Sequence, residues 1–386
     1  MPFQPLPRDV SARVSWPSPI VSPPVVPFNP STASQDALLE RGFPLRPDPK
    51  VSPALFSFWQ RMTAPPYRLV EVPVFAQDSE TGHSFGSMDS GMIAGPGASR
   101  WGTSENWSGM TLAARDGMRF TSVAASWIVP SVEGVKGDTT AKLAGGNRQM
   151  SVWIGLDGHR DYSVSLPQIG TRSMATPLGN DQFDTSYHLW VQWWVRDELF
   201  GEIPVTNFTV GAGHELFVKM DVLSATAIRF TVRNRTTNLA LAATWLAGAY
   251  EGTLSGALDT APAAAFDATY SPDLIRAKAP VEGRHAVWCV ERPSVLPQGQ
   301  LSKQQALKLI KPYDLPVFKE ATFREALAEL RAADGTVQEC NSRAARYIRM
   351  IARGVDQQAG PVVHHVASPV APPRGQSWTK VEQARV

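Results

Sequence analysis

Residues 151–170, SVWIGLDGHRDYSVSLPQIG, constrain the fold more than any other stretch of the chain. Val152, Ile154 and Leu156 alternate with Trp153, Gly155 and Asp157, and a period of two belongs to a strand rather than a helix. Asp157-Gly158 marks a turn and a second run with Val164 and Leu166 follows, so the stretch reads as a β-hairpin. Gln168 stands at the end of the second strand, between Pro167 and Ile169-Gly170, as an amide in apolar company. Such a group is either a satisfied structural amide or one aimed at a ligand, because burying it unmet is unfavourable.

The same signature recurs from Trp101 to about Glu291. Met118–Val129, Gln149–Leu156, Tyr187–Val195, Glu215–Leu223, Ala227–Arg233 and Ala286–Glu291 are rich in β-branched or aromatic residues and bounded by Gly, Asn, Asp or Pro. Nine of the 12 tryptophans fall in this region, so the large apolar faces belong to it. Many antiparallel strands without interleaved helices imply two sheets packed face to face.

The flanks read differently. Of the 32 prolines, 17 precede residue 100, and residues 1–33 have little periodicity, which favours an extended, polyproline-like arm. Within this extension Ser34 caps a short helix over Gln35–Arg41 that Gly42 stops, and Ser52-Pro53 opens a second with Leu55, Phe56 and Trp59 on one face. Arg68–Phe75 alternates like a strand, and Gly82–Gly102 is a glycine- and serine-rich loop. Toward the C-terminus, Ser302-x-x-Gln305 and Thr322-x-x-Glu325 look like capping boxes, and Phe323, Ala326, Leu327 and Leu330 have helical spacing. Residues from about Pro373 onward look like a disordered tail.

Composition excludes several classes. With 43% hydrophobic and 19% charged residues the body is globular, and a net charge of +2 without a dense Lys/Arg cluster gives no footprint for nucleic acid. The longest apolar run, Leu239–Tyr250, is too short to span a membrane, and the N-terminus does not look like a secretory signal. Cys289 and Cys340 are the two cysteines, too few for a disulfide framework or a zinc site. G-x-S-x-G, H-E-x-x-H and P-loop motifs are missing. Asp89-Ser90-Gly91 is read as a polar turn, and His364-His365, facing opposite ways in a strand, as packing or surface histidines.

Five segments in order carry a family resemblance. Asn106-Trp107-Ser108-Gly109, Trp127-Ile128-Val129-Pro130, the W-I-G-L-D-G and L-P-Q-I-G pieces of 151–170, Tyr187–Trp194 and Ala286–Glu291 resemble the pattern of the eqolisins, the glutamic peptidases. The resemblance covers roughly residues 106–291. It implies an all-β fold, a two-sheet antiparallel β-sandwich of the concanavalin-like jelly-roll kind, bent into a substrate groove, and, against the helical pattern around Phe323–Leu330, it puts the last strands of the sandwich there with Asp334-Gly335 as a hairpin turn. The division expected is a Pro-rich extension over 1–95, acting as pro-segment or lid or else as a packing extension, a sandwich over 96–372 and a tail over 373–386. By the same resemblance Gln168 and Glu291 form a catalytic dyad. Glu291 takes a proton from water and returns it to the leaving amine, while Gln168 orients the water and donates to the oxyanion. No metal or cofactor is implied, the partner is a polypeptide substrate, and the chain is expected to be monomeric.

In a strand, Glu291 shares its face with Val287 and Cys289 while Trp288 and Val290 take the other, and apolar neighbours raise a carboxyl pKa. The plain alternative ends Glu291 in water beside Arg292. Trp153, Asp157, Trp190 and Gln192 match substrate-side positions of the family, with core packing as the alternative for Trp153 and turn capping for Asp157. Asn106 and Trp107 are read as fixing the first strand. Two family glutamates are replaced here, by Gln192 and by Val287. Losing negative charge near Glu291 favours its ionised form, so the expected optimum is acidic but above about pH 2. The competing reading is a catalytically inactive sandwich that binds peptide or carbohydrate.

Overall fold

The computed structural model describes residues 28–66, 68–70, 101–115, 117–136, 147–159, 163–196, 202–246, 280–295, 311–356, 360–370 and 379–384. Two helices, α1 (Gln35–Glu40) and α2 (Pro53–Thr63), precede the strands. These begin with β1 (Arg68–Leu69), β2 (Trp101–Ser104), β3 (Trp107–Ala113), β4 (Met118–Ile128), β5 (Arg148–Leu156), β6 (Ser165–Gly179) and β7 (Gln182–Val195). They continue with β8 (Ile203–Val205), β9 (Glu215–Ser224), β10 (Ala227–Asn234), β11 (Leu239–Leu246), β12 (His285–Glu291), β13 (Ser294–Val295) and β14 (Lys311–Pro312). The last are β15 (Glu320–Ala332), β16 (Val337–Asn341), β17 (Arg346–Asp356), β18 (Gly360–Val370) and β19 (Thr379–Gln383).

Pairing sorts the long strands into two antiparallel layers. One runs β11-β10-β9-β4-β15 and the other β17-β3-β12-β5-β6-β7-β8. The layers meet face to face. Trp288 Nε1 on β12 donates to Ala124 O on β4 at 3.1 Å, and Trp127 Nε1 on β4 donates to Thr171 Oγ1 on β6 at 3.2 Å. Between them lies the main core, to which β12 contributes Ala286, Trp288 and Val290 and β4 contributes Val123, Ala125 and Trp127. The valines among these each contribute on the order of 1.5–3 kcal/mol by burial. The fold is all-β, yet its layers are not separate sheets: β18 and β19 carry the hydrogen-bond ladder from β17 to β15, so 17 strands form one network.

The hairpin of 151–170 is present, with Gly155 opposite Gln168. Its second strand is far longer than expected, because β6 runs on to Gly179 against β7, which puts Gln168 near the strand's start. Ser34 Oγ accepts from Ala37 N at 3.2 Å and Gly42 takes φ +75°, as the helix signals suggested. Ser52 donates instead to Glu329 Oε2, and the start of α2 is capped by Glu339, which accepts from Leu55 N at 2.8 Å. Leu55, Phe58 and Met62 pack on Ala124, Phe217 and Leu327, the outer side of the β4 layer. Arg233, almost wholly buried, donates to the carbonyl of Met62 in the last turn of α2 and to those of Ala64 and Pro66 beyond it.

At the C-terminal end one open question is answered and one expectation is corrected. Of the two readings of Phe323–Leu330, helix by pattern and strand by resemblance, the strand holds, as part of β15. A register shift between Arg324 and Leu327, with Glu325 at φ +53°, inserts residues so that Phe323 and Ala326 reach the same core. That bulge imitates a helical spacing. The tail expectation fails over Thr379–Gln383, which forms β19 between β15 and β18 with Thr379 and Val381 fully buried. Alternation over only five residues was too short a signal. Asp334-Gly335 makes the β15–β16 turn, with Gly335 at φ +87°. His364-His365 lies on β18. Ser302-Gln305 and Asp89-Gly91 fall outside the described residues, as does most of Arg68–Phe75 and of the 82–102 loop.

Candidate active site

Register lays out the outer face of the β12 layer as a lattice. Residues directly opposite one another across β12, β5, β6 and β7 run Glu291–Ser151–Arg172–His188, Cys289–Trp153–Gly170–Trp190 and Val287–Gly155–Gln168–Gln192. On the other flank β3 adds Trp107, Gly109 and Thr111. Strand alternation turns these side chains away from the main core. They form a second apolar cluster of Trp107, Trp153, Leu166, Trp190, Trp194, Val287, Cys289 and Ile348. Trp107 and Trp153 meet edge to face, with ring centroids 5.0 Å apart.

Glu291 is fully buried in this face. Its Oε2 accepts from Trp153 Nε1 at 2.7 Å and its Oε1 from Asn106 Nδ2 at 3.3 Å. Ser104 Oγ donates to Asn106 Oδ1 at 3.0 Å, which turns the amide nitrogen toward the carboxylate. Trp153 can lie so close to β6 because Gly170 stands opposite; a Cβ there would come within 2.4 Å of Trp153 Cβ. Burial and the neighbouring Glu291 carboxylate hold the Cys289 thiol well above its ordinary pKa, so it stays neutral; both cysteines are free.

Gln168 is also fully buried, and its Nε2 donates to Gln192 Oε1 at 2.6 Å. Its own Oε1 has no partner. The expected pair therefore shares a face but not a contact. Glu291 lies two strands and four residues from Gln168, about 16 Å between Cα atoms from strand spacing and rise. The residue facing Gln168 across Gly155 is Val287.

The remaining expected residues divide. Trp153 joins the lattice and touches Glu291, Trp190 sits beside Gly170, and Gln192 holds Gln168. Asp157 does not join them. It lies beyond the far end of the β5–β12 pairing, where its carboxylate accepts from the backbone N–H groups of Glu282, Gly283, Arg284 and His285. Burial raises its pKa, opposed by those four donors. With φ +67° it fixes the turn and anchors the chain entering β12, as the capping alternative had it.

Four residues escaped motif reading. Arg172 forms a buried ion pair with Glu202, and Ser151 Oγ donates to Glu202 Oε1 at 3.4 Å. Alternation from Trp153 and Gln168 would have placed Ser151 and Arg172 on this face; Glu202 has no sequence signal. His188, opposite Arg172, has its pKa lowered to about 3, first by burial and then by the Arg172 charge, so its imidazole stays neutral. Among the described residues, no group of three His, Cys, Asp or Glu side chains is placed to hold a metal ion.

The described part of the N-terminal extension packs on the opposite outer face, against β4, β9 and β15. It does not cover this lattice.

The Peptidase A4 family model matches residues 105–261, a span holding Trp153, Asp157, Gln168, Trp190 and Gln192 and ending before Glu291. Among curated proteins, none matches the chain. Among solved structures, scytalido-glutamic peptidase with a transition state analog inhibitor is 14% identical, over 72% of this chain and 98% of its own, at a TM-score of 0.45. SCP-B, a member of the Eqolisin family in complex with the tripeptide Ala-Ile-His, is 14% identical over 72% and 98%, at 0.44. Aspergilloglutamic peptidase from Aspergillus niger is 17% identical over 61% and 99%, at 0.36. The match over 105–261 makes that segment similar to the Peptidase A4 family, the glutamic peptidases or eqolisins, and supports a peptidase activity.

Proposed function

We propose that the chain is an endopeptidase whose Glu291 carboxylate activates water and whose Gln168 amide stabilises the oxyanion, working on the acid side of neutrality but above about pH 2. The observation that carries this reading is a fully buried carboxylate on the same tryptophan-lined face as a buried amide. Glu291 accepts a proton from water as the oxygen attacks the scissile carbonyl. The oxyanion takes a hydrogen bond from Gln168 Nε2. The amine then leaves with the proton that Glu291 returns, and no covalent intermediate forms. The separation of the two residues makes a demand. Gln168 must exchange Gln192 for the substrate, and the scissile bond must sit over Gly155 and Trp153, between them.

Val287 favours a second reading. The position across Gly155 from Gln168 carries an apolar side chain where the family pattern has a glutamate, so the face would hold peptide without cutting it. Digestion of an unfolded protein across pH 2–7 by wild type, Glu291→Gln, Gln168→Ala and Val287→Glu separates the two. Loss of about 100-fold or more in the first two variants with folding kept supports the Glu291–Gln168 reading. A wild type that cuts nothing at any pH, with cleavage appearing in Val287→Glu, overturns it in favour of binding alone.

A further inference from the structure

A cavity of about 760 Å³ lies on the opposite side of the sandwich from the tryptophan lattice, between the N-terminal extension and the β9-β4-β15 layer. That volume is in the range of small-ligand sites. Leu39, Leu45, Val51 and Val337 give it apolar sides. Its charged lining nearly balances, with Asp36, Asp48, Asp221 and Glu329 against Arg46, Lys219 and Arg331. Register orders the floor. Asp221, Ser122 and Glu329 stand side by side on β9, β4 and β15, so the two acidic residues are about 10 Å apart with a hydroxyl between them. Lys219 is 1% exposed, and among the described residues its Nζ bonds Asp221 alone. Its remaining N–H donors are left for the cavity it lines. Arg331, more than half exposed, reaches Glu329 at 3.6 Å. Asp36 and Asp48 have no cationic partner among the described residues.

The lining selects its ligand by exclusion. Four carboxylates repel a phosphate or other polyanion. No trio of His, Cys, Asp or Glu among the described residues is placed to chelate a metal ion. A wholly apolar molecule would strip the floor of water without meeting its charges. What remains is a zwitterion with an apolar body. We infer that the cavity binds a short peptide with both termini free, about three residues long with apolar side chains. Its ammonium lies over Ser122 between Asp221 and Glu329, its first carbonyl accepts from Lys219 Nζ, and its carboxylate meets Arg331. The length follows from the register. Arg331 is opposite Arg119 on β4, three residues from Ser122 and about 10 Å along the strand, a distance that about three extended residues also span. Sheet and extension form opposite walls, so the bound peptide fastens the extension to the sheet. The inference rests on this outer face alone and is independent of the Glu291–Gln168 reading.

The test is calorimetric titration of the full chain with the tripeptide Leu-Ala-Leu, its N-acetyl form and its C-terminal amide. Each blocked form should bind at least about tenfold more weakly than the free tripeptide, because it loses one charged contact. Arg331→Gln should bring the acid and the amide to within about threefold of each other, and Glu329→Gln should do the same for the free and acetylated amine. The free tripeptide should also slow tryptic cleavage at Arg41 and Arg61, on the wall it fastens. Equal binding of the blocked forms overturns the inference, as does no binding of the free tripeptide at millimolar concentration by protein that is folded by circular dichroism. Preferences unchanged in both variants overturn it too, since the peptide then lies elsewhere on the chain. Binding with unaltered tryptic cleavage refutes the fastening of the extension.

Discussion

Glu291→Gln tests the site at its most constrained point. The substitution keeps the shape and leaves one oxygen to accept from Trp153 Nε1, 2.7 Å from Glu291 Oε2. It also replaces the oxygen 3.3 Å from Asn106 Nδ2 by an NH₂ group, so two donors face each other. Asn106 can turn its oxygen toward residue 291 only by giving up the hydrogen bond from Ser104 Oγ. One buried donor or hydroxyl is left unmet either way, which costs about 1–3 kcal/mol. Adding Asn106→Asp puts an acceptor there that can take both the new amide N–H and the Ser104 hydroxyl, and most of the loss should return. Asn106→Asp alone brings a second carboxylate against Glu291 and should destabilise by a similar amount. The double-mutant cycle should therefore show a coupling of at least about 1 kcal/mol, measured by urea unfolding followed by tryptophan fluorescence. If the two single losses simply add in the double variant, Asn106 does not hold Glu291 and the account of the carboxylate is wrong.

Other consequences can be checked in the same preparations. His188 resists protonation in the folded chain down to about pH 3 but titrates near 6.5 when unfolded, so the unfolded state takes up protons first as pH falls. Stability should decline from pH 6.5 toward 3, and His188→Gln should flatten that decline in unfolding curves at pH 7, 5 and 4; an unchanged slope would discount His188. Gly170→Ala places a methyl 2.4 Å from Trp153 Cβ and 2.5 Å from Val152 O, and should cost about 2 kcal/mol or more with a change in tryptophan emission. Arg233→Met strips the carbonyls of Met62, Ala64 and Pro66 of their donor and should cost about 2–4 kcal/mol. It should also open residues 53–66 to limited proteolysis, and a fully resistant variant would refute that anchoring role. The Cys289 thiol, neutral and buried, should resist iodoacetamide until the chain is unfolded.

What the sequence revealed followed the physics of period two. Strands such as β12 were legible because Trp288 and Val290 fill one core while Val287, Cys289 and Glu291 turn to the other face, and both sides are apolar enough to show. β15 was obscured by its bulge, and β19 by brevity. At the site, the residue types were readable and their distances were not. Gln168 and Glu291 each match a motif, but only the register across β5 reveals that Gly155 faces Val287 on one side and Gln168 on the other. Asp157 was singled out because it matches a position of the family pattern, while its carboxylate accepts from four backbone N–H groups at the far end of β12, a contact that only the fold reveals. Glu202 reaches the face from just before β8, and no local pattern marks such a contact.

The position of β19 has a consequence for synthesis. This strand completes the ladder between β15 and β18, and its residues leave the ribosome after every other described element. Until then, β15 and β18 each present an unpaired edge, the kind of surface to which another unfinished chain can add. Pairing across such sequence distances is also slow. The sheet thus closes only once residues 379–383 have been made, and crowded synthesis or loss of those residues should show first as aggregation of new chains, before any loss of activity per folded molecule.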